Sequence, residues 1–459
     1  MKSALPKVLH RVAGVPMIDH VLEAGRGLQP RSVTVVVGHQ GDALHRHLLS
    51  HRGLKVVVQE PQLGTAHALA AAEPALRRAT GTLLVLSGDA PLVRPETLKA
   101  LRDRHIASGA VATVLTAQVH QPHGYGRIVR NGEQIARIVE ERDATDAERS
   151  IHEINAGIYA FELKGLFQAL RQVARTNTQH EHYLPDLVTI FSTRGERVGT
   201  VTVADADEIL GINTRKELEE VSRIVRSRKT DELMAAGVTI DDTATAYIDR
   251  DVEVGEDTII HPNVSLEGQT TIGRGCEIHS GARIIDSRLG DRVTILNYSV
   301  IRESVISADA RIGPFAHLRP GADIRDGARV GNFVELKKTV LGPGSKSMHH
   351  AYLGDARIGA HVNIGAGTIT CNYDGTAKHP TVIEDDAFIG SDSQLVAPVT
   401  IGKGAYVGAG TTVRENVPAR ALAVSAGAQR NIKGWALRDT QKGKRQKAKG
   451  KRQKAEGKS

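Results

Sequence analysis

Residues 383–413, IEDDAFIGSDSQLVAPVTIGKGAYVGAGTTV, place an aliphatic side chain at every sixth position: Ile383, Ile389, Leu395, Ile401, Val407 and Val413. Neither the 3.6-residue period of a helix nor the two-residue period of a strand produces that spacing. Glycine follows Ile389 and Ile401. An inward aliphatic and a small residue at the turn, repeated every six, describe a parallel β-helix of triangular section, with three short strands in each coil of about 18 residues.

The same series runs through Val254, Ile260, Leu266, Ile272, Ile278 and Ile284, and again through Ile306, Ile312, Leu318, Ile324, Val330 and Leu336. It slips by one near Leu289 and Leu353, and the excursion CNYDGTAKHPTV interrupts it after Thr370. Interruptions in a solenoid are where site-forming loops are expected. Left-handed winding is carried over from proteins with this hexapeptide pattern. The flat faces and bare edge of such a coil need cover, so a homo-oligomer, most naturally a homotrimer, is expected.

From the start to about Arg215 the pattern is different. SVTVVVG, LKVVVQ and TLLVLSGD read as buried strands, while DALHRHLLS and GTAHALAAAEPALRRA carry helical spacing. This βαβα order implies a doubly wound sheet with ligands at the carboxyl ends of its strands. The opening MKSALPKVLHRVAG runs straight into an apolar, helix-like stretch, and ELEEVSRIVRSRKTDELMAAG reads as a connecting helix. Expected boundaries are 1–215, 216–236 for the helix, 237–435 for the coils and 436–459 for a tail.

At 459 residues the chain exceeds what one core usually supports, in keeping with two domains. Aromatic residues are only 3%, so the core must be built from Val, Ile, Leu and Ala. Cys276 and Cys371 cannot form a disulfide framework, which points to a reducing, cytoplasmic setting. No apolar run approaches the roughly 18 residues that span a bilayer, so no membrane insertion is expected. The formal net charge is +8, and the tail KGKRQKAKGKRQKAEGKS supplies all of that excess. It reads as a disordered, solubilising extension, with weak contact to RNA or anionic membrane as the alternative, and no specific nucleic acid is expected as partner.

The densest polar cluster lies between Arg319 and Tyr373, in RPGA, NFVELKK, GSKSMHHAYLGD, HVNIGAGT and TCNYDG. Arg319 and Lys337 suit a phosphate, and a histidine near neutral pKa can act as a general base. A metal hydratase would need three histidines around zinc; His349, His350 and His361 are the nearby set, but adjacent residues on a strand point to opposite faces.

GNFVELKK, KSMHHAYLGDARIGAHVNIGAGTITCNYDG and FIGSDSQLVAPVTIGKGAYVGAGT resemble the acetyltransferase half of the bacterial bifunctional N-acetylglucosamine-1-phosphate uridyltransferase and glucosamine-1-phosphate acetyltransferase family. LPKVLH, QLGTAHA, LSGD, GYGRI, VEERDA, EINAGIY and GIN resemble its uridyltransferase half. The resemblance covers residues 1–435. It implies an α/β plus β architecture: a Rossmann-like nucleotidyltransferase domain, a linker helix and a left-handed parallel β-helix.

By that resemblance His349 is the base that takes a proton from the amine of glucosamine 1-phosphate as it attacks acetyl-CoA. It is chosen over His350 because the family's histidine stands three before the tyrosine. Arg319, Lys337, Tyr352 and Asn363 would hold the sugar phosphate, and Ala366, Asn372, Tyr373, Ser391 and Ala409 the acetyl-CoA. In the first half, Lys7, Gln59, Gly64, Thr65, Gly126, Glu140, Asn155 and Asn213 would bind the nucleotide sugar made from UTP and N-acetylglucosamine 1-phosphate. Asp89 and Asn213 would hold Mg²⁺; an Asp at the carboxyl end of a strand is a hard oxygen ligand.

The chain departs from the family in two places. Ala426 stands where an arginine usually meets the cofactor, with Arg430 as a substitute. The strand and Gly-rich loop LAAGxGTRM that precede LPK in the family are not in MKSALPK, and a start assigned to an internal methionine is the favoured explanation. For the chain as given, acetyl transfer is expected and uridyl transfer is expected to be impaired. The alternatives are an acetyltransferase with a degenerate nucleotide-binding domain, or a non-enzymatic trimeric scaffold that binds sugar nucleotides.

Overall fold

The structure, a computed structural model, describes residues 1–38, 41–174, 177–425, 427, 429–433 and 435. The basic tail and Ala426 lie outside the described residues. Two compact units, Met1–Glu303 and Ser304–Ser459, make up the chain.

The first unit opens differently from the expected helix. A 3-10 turn, Lys7–Leu9, is followed by the two-residue hairpin strands Arg11–Val12 and Val15–Pro16, and only then by the helix Met17–Arg26. Ala13 and Gly14, with φ of 43° and 83°, turn the hairpin. A side chain at Gly14 would place its Cβ 2.3 Å from Asp249 Oδ2, so this turn tolerates only glycine.

The anticipated strands form as Val33–Gly38, Leu54–Gln59 and Thr82–Val85. Val33–Gly38 and Leu54–Gln59 pair in parallel with each other, in a sheet of their own. The larger sheet is mixed rather than parallel. Its spine is the ten-residue strand Glu153–Glu162, which takes Ala112–Gln118 antiparallel along one edge. The other edge is shared: residues 159–162 pair with Thr82–Val85, and Ile154 pairs with Arg127. Residues 155–158 therefore face the end of Thr82–Val85, where the Ser87 hydroxyl donates to Gly157 O at 3.1 Å. That opening receives the LSGD segment. The strands read from sequence end with TLLVLSGD, and the antiparallel half of the sheet lies beyond it, in Ala112–Gln118, Arg127–Asn131, Gln134–Val139 and Glu153–Glu162.

The linker helix spans Arg215–Ala235, with Thr214 and Glu217 forming a capping box at its start. Beyond it the first coils stack in three parallel ladders. Ile240, Ile260, Ile278 and Ile295 fall in one register, and Ile248, Leu266, Ile284 and Ile301 in the next.

In the second unit the coils continue as the sequence dictates. Ile306, Ile312, Leu318, Ile324, Val330 and Leu336 point inward and are at most 1% exposed. A second inward position, two residues before the first, is often Ala, Ser or Thr: Ala310, Ala316, Ala322, Thr339, Ser345 and Ser393 are all buried. Register locates the slips: Leu336 to Leu341 and Leu353 to Ile358 are five-residue steps. The first of these escaped the sequence reading because the inward residue that follows it is Ser347. Parallel coils with this repeat accord with left-handed hexapeptide winding. Among the described residues no helix is long and apolar enough to cross a membrane.

Candidate active sites

In the first unit three expected residues converge. Lys7 Nζ donates to Asp89 Oδ2 at 2.6 Å and to Asn213 Oδ1 at 2.9 Å, while Ile212 N–H bonds Asp89 O at 3.0 Å and fixes the Asn213 segment beside it. The oxygens of Asp89 and Asn213 thus already face one cation, here the lysine ammonium. A carboxylate and an amide oxygen are the hard donors that Mg²⁺ prefers, so this pair fits the ion the resemblance implies.

Gln59 donates to Gly64 O at 3.0 Å, which holds the QLGTAHA loop. Gly64 has φ of 108°, and a Cβ there would fall 2.5 Å from His182 O. Thr65 Oγ1 accepts from Leu184 N–H at 2.9 Å, so its hydroxyl proton is left to donate outward.

Gly126, Glu140 and Asn155 form a second group. Asn155 N–H donates to Gly126 O at 2.8 Å, and a Cβ on Gly126 would lie 3.1 Å from Glu140 Oε1. The Asn155 amide donates to the buried Tyr159 hydroxyl at 2.7 Å. Burial pushes the Glu140 carboxyl above the usual range, and Asp143 and Asp186 add to the effect. Burial also pushes the nearby Tyr183 phenol up to about 12.

In the second unit, register places the acetyl-transfer residues on one ladder. Val330 pairs with Ser347, Ser347 with Ile364, Ile364 with Ile389 and Ile389 with Val407. Two positions past each stand Asn332, His349, Ala366, Ser391 and Ala409 in that order. Beyond the histidine the ladder carries only small side chains, leaving a shallow track along it. Gly365 and Gly390, each one position before, make the coils stack so closely that a Cβ on either would lie 2.6 Å from the next coil's backbone.

His349 is exposed, and its Nδ1 lies 2.8 Å from Asn332 Oδ1. An amide oxygen only accepts, so Nδ1 carries the proton and Nε2 presents its lone pair to solvent. His350 is spent otherwise: it adopts φ of 43°, and its ring stacks on Phe333 at 5.1 Å between centroids. His361 Nδ1 lies 2.7 Å from where a Gly344 Cβ would stand. These three imidazoles therefore have separate surroundings, contrary to a three-histidine zinc site.

Cations gather on the adjacent ladder. Arg319 donates to Glu335 at 2.7 Å. The ammonium of Lys378, beside Lys337, holds the Lys337 pKa below its usual value, and Arg319 adds to the depression. Three positive groups with two carboxylates, Glu335 and Asp355, among them leave a net positive charge that suits an anion. Tyr352 OH and Asn372 Nδ2 overlie Gly354, at 2.5 Å and 2.7 Å from a Cβ built there, and Asn372 is anchored to Asp355 Oδ2 at 2.5 Å. Tyr373 is 60% exposed, and Asn363 is half-buried on the strand that follows the histidine's. A depression of about 330 Å³ lined by Arg357, Glu384, Asp385 and Lys403 contains none of the expected residues.

Residues 1–155 match the MobA-like NTP transferase domain, 243–322 the GMPPB C-terminal domain, and 380–415 the bacterial transferase hexapeptide (six repeats). The chain is 49% identical over 443 residues to the bifunctional protein GlmU of Pelobacter propionicus, covering 96% of each chain. It is 44% identical over 437 residues to the same protein of Streptococcus agalactiae serotype V, covering 95% of each. The chain belongs to the GlmU family. Like other GlmU chains it is a transferase with a nucleotidyltransferase half and a hexapeptide acyltransferase half. The acetyltransferase-only reading is not favoured, since the relationship to GlmU runs through both halves.

Three residues of this GlmU chain were not singled out from sequence. Asn332 orients the histidine, Lys378 adds a third cation, and Asp355 anchors Asn372. The signal for Lys378 was present, since it lies in the excursion that breaks the hexads. Asn332 and Asp355 stand within NFVELKK and GSKSMHHAYLGD, but their roles depend on coil register.

Proposed function

We propose that the chain acetylates glucosamine 1-phosphate with acetyl-CoA and then transfers UMP from UTP to the resulting N-acetylglucosamine 1-phosphate, giving UDP-N-acetylglucosamine and diphosphate. The observation that carries the first step is the His349–Asn332 hydrogen bond. It fixes the tautomer in which Nε2 can take a proton from the sugar's amine as the nitrogen attacks the thioester carbonyl. Arg319, Lys337 and Lys378 hold the phosphate, which brings the amine to the base, and Tyr352 and Asn363 flank the sugar. Acetyl-CoA runs along Ala366, Ser391 and Ala409, with Asn372 and Tyr373 at the excursion.

For the second step Lys7, Gln59, Gly64 and Thr65 hold the nucleotide, and Gly126, Glu140 and Asn155 the sugar. Mg²⁺ held by Asp89 and Asn213 offsets the charge of the triphosphate when bound. Lys7, which pairs with both of those residues in this structure, would have its ammonium free for the phosphates with the ion on Asp89 and Asn213. Exposed stacked rings at Phe315 and Phe333, and at Phe388 and Tyr406, support a homotrimer that covers these faces. Both substrates that donate groups, UTP and acetyl-CoA, suit a cytoplasmic enzyme.

The test follows each product on the full chain: coenzyme A release with glucosamine 1-phosphate, and diphosphate release with UTP and N-acetylglucosamine 1-phosphate. Acetyl transfer that survives His349→Ala unchanged would remove His349 as the base, and a wild-type chain that forms neither product would return the protein to a sugar-nucleotide-binding scaffold.

A further inference from the structure

The first coils carry a group of side chains with no part in either proposed reaction. Asp241, His261 and His279 each follow one of the aligned residues Ile240, Ile260 and Ile278, so they form a ladder across three coils. Glu277 stands just before the last of these. His261 Nδ1 lies 2.7 Å from Asp241 Oδ2, and its Nε2 lies 3.3 Å from Glu277 Oε1. His279 Nε2 lies 3.3 Å from the same oxygen, and the two rings are 4.8 Å apart.

One ligand atom each from His261, Glu277 and His279 lies within 4.8 Å of the other two, close enough to share one ion. A carboxylate accepts only, so the hydrogen bond to Asp241 places the proton of a neutral His261 on Nδ1. Its Nε2 then turns a lone pair toward the lone pairs of Glu277. Either the ring carries a second proton or a cation lies between the three atoms. A separation of 3.3 Å is also the spacing of two ligand atoms on one metal ion. Two ligands 3.3 Å apart, each about 2.1 Å from a metal ion, subtend roughly 105°, between octahedral and tetrahedral values.

We infer that His261, Glu277 and His279 bind a divalent transition-metal ion of the zinc type, with Asp241 as the outer carboxylate that orients His261. Two imidazoles and one carboxylate select zinc, cobalt or nickel over the hard ions Mg²⁺ and Ca²⁺. A carboxylate behind a ligating histidine is the usual outer-shell arrangement. The ion ties adjacent coils together, and water completes its coordination on the exposed side. Asp19, His47 and His51 also converge, but Arg26 already faces His51 Nδ1 at 3.4 Å, and His47 pairs with Asp19 at 2.8 Å, so that cluster closes on itself.

Zinc is titrated into the chelator-treated full chain and bound metal is counted by atomic emission, with His279→Ala, Glu277→Gln and Asp241→Asn as variants and His47→Ala as control. The wild type is expected to hold one more zinc ion per chain than His279→Ala or Glu277→Gln, and His47→Ala to match the wild type. Asp241→Asn should weaken the site ten- to a hundredfold. Cobalt in place of zinc should give a histidine-ligand spectrum that His279→Ala abolishes. Retained acetyl transfer and circular dichroism show that the variants fold. Equal zinc uptake by the wild type, His279→Ala and Glu277→Gln overturns the inference, as does a doubly protonated His261 at neutral pH, seen by NMR, that takes up no metal.

Discussion

At the scale of single residues, acetyl transfer depends on which nitrogen of His349 carries the proton. His349→Ala removes the base and should lower kcat by about 10²–10⁴, the usual contribution of general base catalysis. Asn332→Ala keeps the base and removes the acceptor at 2.8 Å that selects its tautomer. It should cost about tenfold in kcat with little change in KM, and Asn332→Asp, which also accepts at that position, should recover much of the loss. A change in KM alone would assign Asn332 to binding instead. Glu140 makes a different prediction. Its folded pKa is raised, first by burial and then by Asp143 and Asp186. With respect to this group, folding stability is greatest below the unfolded carboxyl pKa, about 4.3, and falls as pH rises through the folded value. Glu140→Gln should therefore melt at a higher temperature than the wild type at pH 7 and at the same temperature near pH 4, while uridyl transfer declines. A variant no more stable at pH 7 contradicts the assigned cause of the shift.

At the scale of elements, the coils are held as much by hydroxyls as by aliphatics. Thr339 is fully buried, donates to Leu353 O at 2.8 Å in the next coil and accepts from Ala356 N–H at 3.3 Å. Thr339→Val keeps the shape and strands a buried N–H and C=O, so thermal unfolding should report a loss of about 1–3 kcal/mol. Gly354→Ala acts on the site instead. The added methyl would press on Tyr352 OH and Asn372 Nδ2, at 2.5 Å and 2.7 Å, and should raise KM for both acetyl-transfer substrates. The hexads made the coils legible in the sequence because one buried side chain per strand is a strong periodic signal. The inward Thr and Ser positions escaped notice, since small residues carry little hydropathy, and the step from Leu336 to Leu341 escaped with Ser347. The same limit applied in the first unit. Runs such as VTVVVG were evident, but the antiparallel spine Glu153–Glu162 follows from long-range pairing that no local pattern encodes. Lys7, Asp89 and Asn213 were found through the resemblance; their meeting at 2.6 Å and 2.9 Å is a fact of the fold.

At the scale of the whole molecule, the residues proposed for each reaction fall within one unit. Lys7, Gln59, Asp89, Glu140, Asn155 and Asn213 belong to Met1–Glu303, while Arg319, Lys337, His349, Tyr352, Lys378 and the small-residue track belong to Ser304–Ser459. No residue proposed for one reaction is needed by the other, so damage should be separable. Asp89→Asn exchanges a charged ligand for a neutral one and should abolish uridyl transfer while acetyl transfer proceeds at the wild-type rate. His349→Ala should do the reverse. The product of the first reaction, N-acetylglucosamine 1-phosphate, is then the only link between them, and it can pass through solution. An equal mixture of the two variants, given glucosamine 1-phosphate, acetyl-CoA and UTP, should form UDP-N-acetylglucosamine after a lag that shortens as total protein rises. That lag is the time for the intermediate to reach the level at which the Asp89-intact chains work, so adding N-acetylglucosamine 1-phosphate at the start should remove it. A mixture that makes acetylated sugar phosphate and never the nucleotide sugar, from a His349→Ala chain that does release diphosphate when given UTP and N-acetylglucosamine 1-phosphate, would mean that the two sites communicate through the protein, and the assignment of one set of residues to each unit would fail.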